Sequence, residues 1–90
     1  MANNSEKILI NFKKANSLLS KIISMKEDGK YCIDIMQQNL AVIGLLRSAH
    51  SMLMEDHLHG CFANAIATKD SKIKNKMTEE ILKVTSLASK

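Results

Sequence analysis

The chain has 90 residues and carries thirteen Lys and Arg against nine Asp and Glu, a formal net charge of +4. Apolar residues make up 46% of it, too many for a disordered chain, while Pro and Trp are absent and only Phe12, Tyr31 and Phe62 are aromatic. So few turn-forming and β-favouring residues exclude a barrel or a sandwich, and a helical chain this short is expected to bury its apolar surface by self-association.

In chain order, Asn4 or Ser5 can cap a first helix whose apolar positions Ile8, Leu9, Phe12, Ala15, Leu18, Leu19, Ile22 and Ile23 recur at helical spacing. The run KEDGK ends it, with Gly29 placed for the left-handed C-terminal position. A much longer second helix is predicted from about Tyr31 to about Thr68, because neither Gly44 nor Gly60 sits among turn-forming residues. Asp70 or Ser71 can cap a third, carrying Ile73, Met77, Ile81, Leu82, Val84 and Leu87. The expectation is an all-α chain: a single domain over residues 1–90, built as a three-helix protomer with one long central helix.

Charge is uneven along these helices. Residues 1–30 and 71–90 each carry net +3 and residues 31–70 net −2, so basic ends flank an acidic middle. Such ends suit either a polyanionic partner or plain solvation. Twelve of the basic residues are Lys and Arg47 is the sole Arg, which favours contact with phosphate over reading of base edges. The first residues lack the uninterrupted apolar run and cleavage site of a signal peptide, and no stretch is long enough for a membrane span, so a cytoplasmic protein is expected. In that compartment the two cysteines are more often reduced, metal-bound or redox-sensing than bridged.

The residues with chemistry to offer are Cys32, His57 and Cys61. His57 and Cys61 are spaced i, i+4, which stacks them on one helical face as a two-point grip for a soft metal. Counting about 100° per residue, Cys32 lies within roughly 20° of both around the helix axis, yet about 37 Å away along it. One chain cannot close such a site, whereas two antiparallel chains with a two-fold axis near Leu45 and Leu46 can. The shared stripe, through Met36, Asn39, Ile43, Leu46, His50, Leu53 and Met54, is largely apolar and suited to that pairing. Two thiolates and one imidazole favour Cu(I); Zn²⁺ would want a fourth ligand and Ni²⁺ more nitrogen. The competing reading of these three residues is ordinary packing, since cysteine is among the most buried residue types. Asn39 and His50 are placed to hydrogen-bond across the same dimer, and His59 lies about 200° from His57, towards solvent. An enzyme is not expected, because a helical His/Cys pair brings no oxyanion hole and no glycine-rich loop.

The segment KYCIDIMQQNLAVIGLLRSAHSMLMEDHLHGC, residues 30–61, resembles the core of the copper-sensitive operon repressor (CsoR) family in its YCIDI opening, its QQ–AV middle and its EDHL…C close. That resemblance implies antiparallel dimers pairing into flat tetramers. It implies Cys32, His57 and Cys61 as Cu(I) ligands, with Tyr31 behind them, and it implies operator double-stranded DNA as partner. The family's supporting Glu on the third helix has no match in register; Glu79 or Glu80 would take its place. The chain departs from the family's Arg-rich, Gly-Gln-containing first helix at Asn11, Ser17, Leu18 and Ser20, and Ile43 stands where an Arg is usual. DNA contact would then fall to Lys13, Lys14 and Lys21, with Arg47. The function expected is a Cu(I)-responsive repressor; the alternative is a Cu(I)-binding or thiol redox-sensing oligomer with weak or lost DNA recognition.

Overall fold

The computed structural model describes residues 3–89, and among them there is helix and no strand. Helix α1 spans Ser5–Glu27, α2 spans Cys32–His57, α3 spans Ala63–Ile66 and α4 spans Ser71–Ala88; a π-helical turn, Leu58–Phe62, joins α2 to α3. The expected central helix is therefore helical over nearly its predicted length but not α throughout. The i→i+5 bonding of a π-turn is wider than an α-turn, so the count of 100° per residue stops being valid at Leu58. The chain divides into two compact units, residues 3–55 and residues 56–89.

The first unit is a hairpin of α1 and most of α2. Lys26 is in the last turn of α1, and Gly29, at φ +67°, takes the left-handed position that turns the chain back. The amides of Gly29 and Lys30 close the end on the carbonyls of Lys26 and Met25, at 3.2 and 2.9 Å. At the other end, Asn4 occupies the N-cap position, but its side chain does not cap. It donates instead to Glu55 Oε1 at 3.3 Å, while Asn3 Oδ1 accepts from the Ser5 amide at 3.1 Å. A second tie joins the two helices midway, where Asn11 Nδ2 donates to the Leu45 carbonyl at 3.3 Å. These cross-links make the helices antiparallel neighbours.

Burial resolves each helix into two stripes. On α1, Ile8 and Ala15 are buried and Asn11, Leu18 and Ile22 half-buried; on α2, Val42 and Ala49 are buried and Ile35, Gln38, Leu45 and Met52 half-buried. Both sets keep the alternating three- and four-residue step of a packed helical seam, and the small Ala15 and Ala49 allow close approach. One residue further along each helix runs a second, exposed apolar stripe: Leu9, Phe12, Leu19 and Ile23 on α1, and Met36, Ile43, Leu46 and Leu53 on α2. A one-residue advance rotates a helix face by about 100°, and in antiparallel neighbours the two rotations have opposite sense in space. Both outer stripes consequently lie on the same side of the hairpin.

In the second unit, the Thr68 hydroxyl donates to the Ala65 carbonyl at 2.8 Å where α3 ends. Asp70 then caps α4, its carboxylate accepting from the Lys72 amide at 2.9 Å. Helix α4 has no buried residue, and Ile73, Leu82, Val84 and Leu87 are exposed along it.

Candidate functional site

Cys32 is the first residue of α2, a free and exposed thiol at the mouth of the turn that follows Gly29. Tyr31 precedes it, itself 69% exposed, and its carbonyl accepts from the amides of Asp34 and Ile35 at 3.1 and 3.2 Å, which starts the helix. Tyr31 thus fixes where Cys32 sits through its backbone, leaving the phenol open to solvent.

His57 ends α2 and is half-buried; Cys61, the other free thiol, is exposed within the π-turn. Every residue separating them, from Leu58 to Gly60, belongs to the π-turn. The wider turn advances less per residue than an α-helix, which brings two side chains four apart closer to eclipsed and suits a shared ligand. His59 is exposed within the π-turn. Glu79 and Glu80 are both exposed on α4. Among the described residues no three His, Cys, Asp or Glu side chains gather into a group able to hold a metal ion. The donor chemistry fits a soft metal: two unbridged, accessible thiols and an imidazole.

The basic residues of α1 form a separate feature. Lys13, Lys14 and Lys21, with Ser17 and Leu18, line a shallow open depression on the helix surface. Arg47 is exposed on α2. Asn11, in the same stretch of α1, turns inward to the Leu45 carbonyl and is committed to holding the hairpin. In the sequence Asn11 reads only as a missing basic residue, because a long-range hydrogen bond leaves no local pattern. The π-turn was equally hidden, its one trace being Gly60 within an otherwise helical run.

An all-helical chain with a helix-borne thiol–imidazole pair and a lysine-lined helix belongs to the metal-sensitive transcriptional repressor family, which it matches over residues 4–86. Among its relatives, it is 33% identical over 67 residues to the copper-sensing transcriptional repressor CsoR of Bacillus subtilis, covering 74% of this chain and 66% of that one. It is 39% identical over 54 residues to the protein of the same name from Mycobacterium ulcerans, covering 60% and 46% of the two chains. To the copper-sensing transcriptional repressor RicR of Mycobacterium tuberculosis it is 38% identical over 58 residues, covering 64% and 60%. The matched stretch thus spans between about half and two thirds of these relatives. No solved structure matches the chain. No helix among the described residues is long and apolar enough to cross a membrane.

Proposed function

We propose that the chain is a cytoplasmic copper-responsive repressor whose sensing centre forms between two copies, Cys32 of one chain facing His57 and Cys61 of the other. The observation that carries this reading is the separation of the donors: a thiol begins α2, an imidazole ends it, a second thiol follows in the π-turn, and among the described residues no three-donor group forms. The uncovered stripes of α1 and α2 supply the apolar face for antiparallel pairing, and the exposed residues of α4 supply further surface for a tetramer. The whole chain then works as one sensing domain.

Each residue has a defined part. The thiols of Cys32 and Cys61 bind as thiolates and give up their protons on binding, and His57 supplies a neutral ring nitrogen. Tyr31, beside Cys32, and Glu79 or Glu80 on α4 orient these donors by hydrogen bonding. Cys32, His57 and Cys61 would hold the Cu(I), whose bonds to both thiolates and the imidazole would supply a link between two chains. Lys13, Lys14 and Lys21, with Arg47, hold operator DNA through its phosphates. Coupling between the two sites is reciprocal, so DNA must weaken copper binding by the factor that copper weakens DNA binding.

The relatives' copper sensing motivates the choice of metal, and softness of the donor set motivates the Cu(I) state. The test is an anaerobic Cu(I) titration of the protein bound to its own upstream DNA, followed by fluorescence anisotropy. Release at one Cu(I) per chain is expected. Unchanged DNA affinity at saturating Cu(I) sinks the proposal.

One observation favours a second reading. Asn11 is spent on packing the hairpin, and lysines stand in for arginines on α1, so copper binding could persist in a chain with little operator recognition. A complex with its own promoter tighter than with random duplex of equal length rules that reading out.

A further inference from the structure

The outer stripe of α2 is apolar except at Asn39 and His50, and both are exposed in the single chain. Asn39 sits between Met36 and Ile43, and His50 between Leu46 and Leu53, at the positions that a partner helix would cover. Two polar side chains in such a seam carry a cost unless each finds a partner.

Antiparallel pairing offers one register in which they do. With the two-fold axis between Gly44 and Leu45, Ile43 faces the partner's Leu46, Asn39 faces the partner's His50, and Met36 faces the partner's Leu53. The residue numbers of each facing pair add to 89, and so do those of Cys32 and His57. A single alignment therefore puts apolar against apolar, amide against imidazole, and thiol level with the imidazole of the proposed centre. It places the axis about one residue before the Leu45–Leu46 position suggested by averaging over His57 and Cys61. Sliding by one heptad in either direction sets Asn39 against the partner's Ile43 or His50 against the partner's Leu46, and strands a polar group in the seam.

We infer that Asn39 and His50 form a reciprocal hydrogen-bonded pair across the dimer, made twice by symmetry, that selects the register in which Cys32 meets the partner's His57. The Asn39 amide has both donor and acceptor atoms, so it can serve either neutral tautomer of the ring. A polar residue in a helical seam is well suited to fixing register and orientation, because wrong alignments leave it unpaired. The inference rests on the proposed intersubunit centre for its purpose, but its geometry involves none of the metal-binding residues except through alignment.

The experiment reads register without metal. In a chain carrying Cys32→Ser and Cys61→Ser, the substitutions Met36→Cys and Leu53→Cys are introduced, the protein is oxidised with diamide, and linked peptides are mapped by mass spectrometry. With Asn39 and His50 present, the link between position 36 and the partner's position 53 is expected to dominate. Adding Asn39→Leu and His50→Leu is expected to cut its share about fivefold, since wrong registers no longer strand a polar group. Adding instead the exchange Asn39→His with His50→Asn is expected to restore it, because the pair is symmetric under the two-fold axis. An undiminished share in the Leu pair, or an exchanged pair that fails to restore the link, overturns the inference. The exchange conserves composition, so it decides the matter even where the Leu pair does not fold. Copper stoichiometry of the chain with its native cysteines bears on the metal reading alone, so the two failures are separable.

Discussion

Asn11 and Leu45 are joined across the hairpin by a side-chain amide donating to a backbone carbonyl at 3.3 Å, the midpoint tie between α1 and α2. The Leu45 carbonyl lies inside a helix, so it accepts this bond on a second lone pair. The distance is at the long end for N–H···O, which places its net worth near the lower range for such bonds. Asn11→Ala is expected to destabilise the protein by about 0.5 kcal/mol, lowering the Tm by a few degrees. Melts must be compared at one protein concentration, because an assembling chain melts according to its concentration.

Two glycines should respond to alanine with opposite signs. Gly29 has φ +67°, and Gly29→Ala is expected to cost about 1 kcal/mol by strain in the left-handed region. Gly44 lies inside α2, with nothing within 4 Å of an added Cβ. Gly44→Ala is therefore expected to stabilise by about 0.5–1 kcal/mol through helix propensity. Urea unfolding of both variants at equal concentration checks the pair.

Removal of the Asp70 carboxylate tests the start of α4. It satisfies the Lys72 amide at 2.9 Å, and Asp70→Ala is expected to cost about 1 kcal/mol. Hydrogen exchange should locate the loss in the first turn of α4, with the hairpin of residues 3–55 unaffected.

Mixing two inactive variants tests whether the metal centre spans chains. Cys32→Ser and Cys61→Ser should each abolish tight Cu(I) binding alone. Co-refolded in equal amounts, they are expected to recover about one quarter of the wild-type capacity, since half the dimers are mixed and each mixed dimer rebuilds one of its two sites. A centre made within one chain recovers nothing on mixing.

Charge removal tests the lysine-lined face of α1. Lys13→Ala, Lys14→Ala and Lys21→Ala should each reduce the slope of log affinity against log salt by about one, uniformly across DNA sequences. A variant that changes the preference between sequences instead would show a base contact at that lysine.

The helices were legible because their signals are local. Apolar spacing gave α1, α2 and α4, Gly29 marked a turn that demands positive φ, and Asp70 marked a cap. The Asn4 side chain escaped local reading because its partner, Glu55, is fifty-one residues away. The π-turn escaped because it arises from a shift of hydrogen bonds that no residue type dictates. Of the candidate site, the i, i+4 pair of His57 and Cys61 could be read from sequence, and so could the angular match of Cys32 in an ideal helix. What brings Cys32 to the other two was legible neither in the sequence nor in the single chain, since among the described residues no three such donors gather.

The second apolar stripe has a consequence for the life of a newly made chain. With Leu9, Phe12, Leu19, Ile23, Met36, Ile43, Leu46 and Leu53 all open to water, a solitary copy carries a face as oily as a core. Under the proposed pairing, its escape from that state is a collision with another copy, so the waiting time shortens as copies accumulate. Expression level then governs how long each chain is exposed to proteases and misassembly, and a cell holding few copies would lose them fastest.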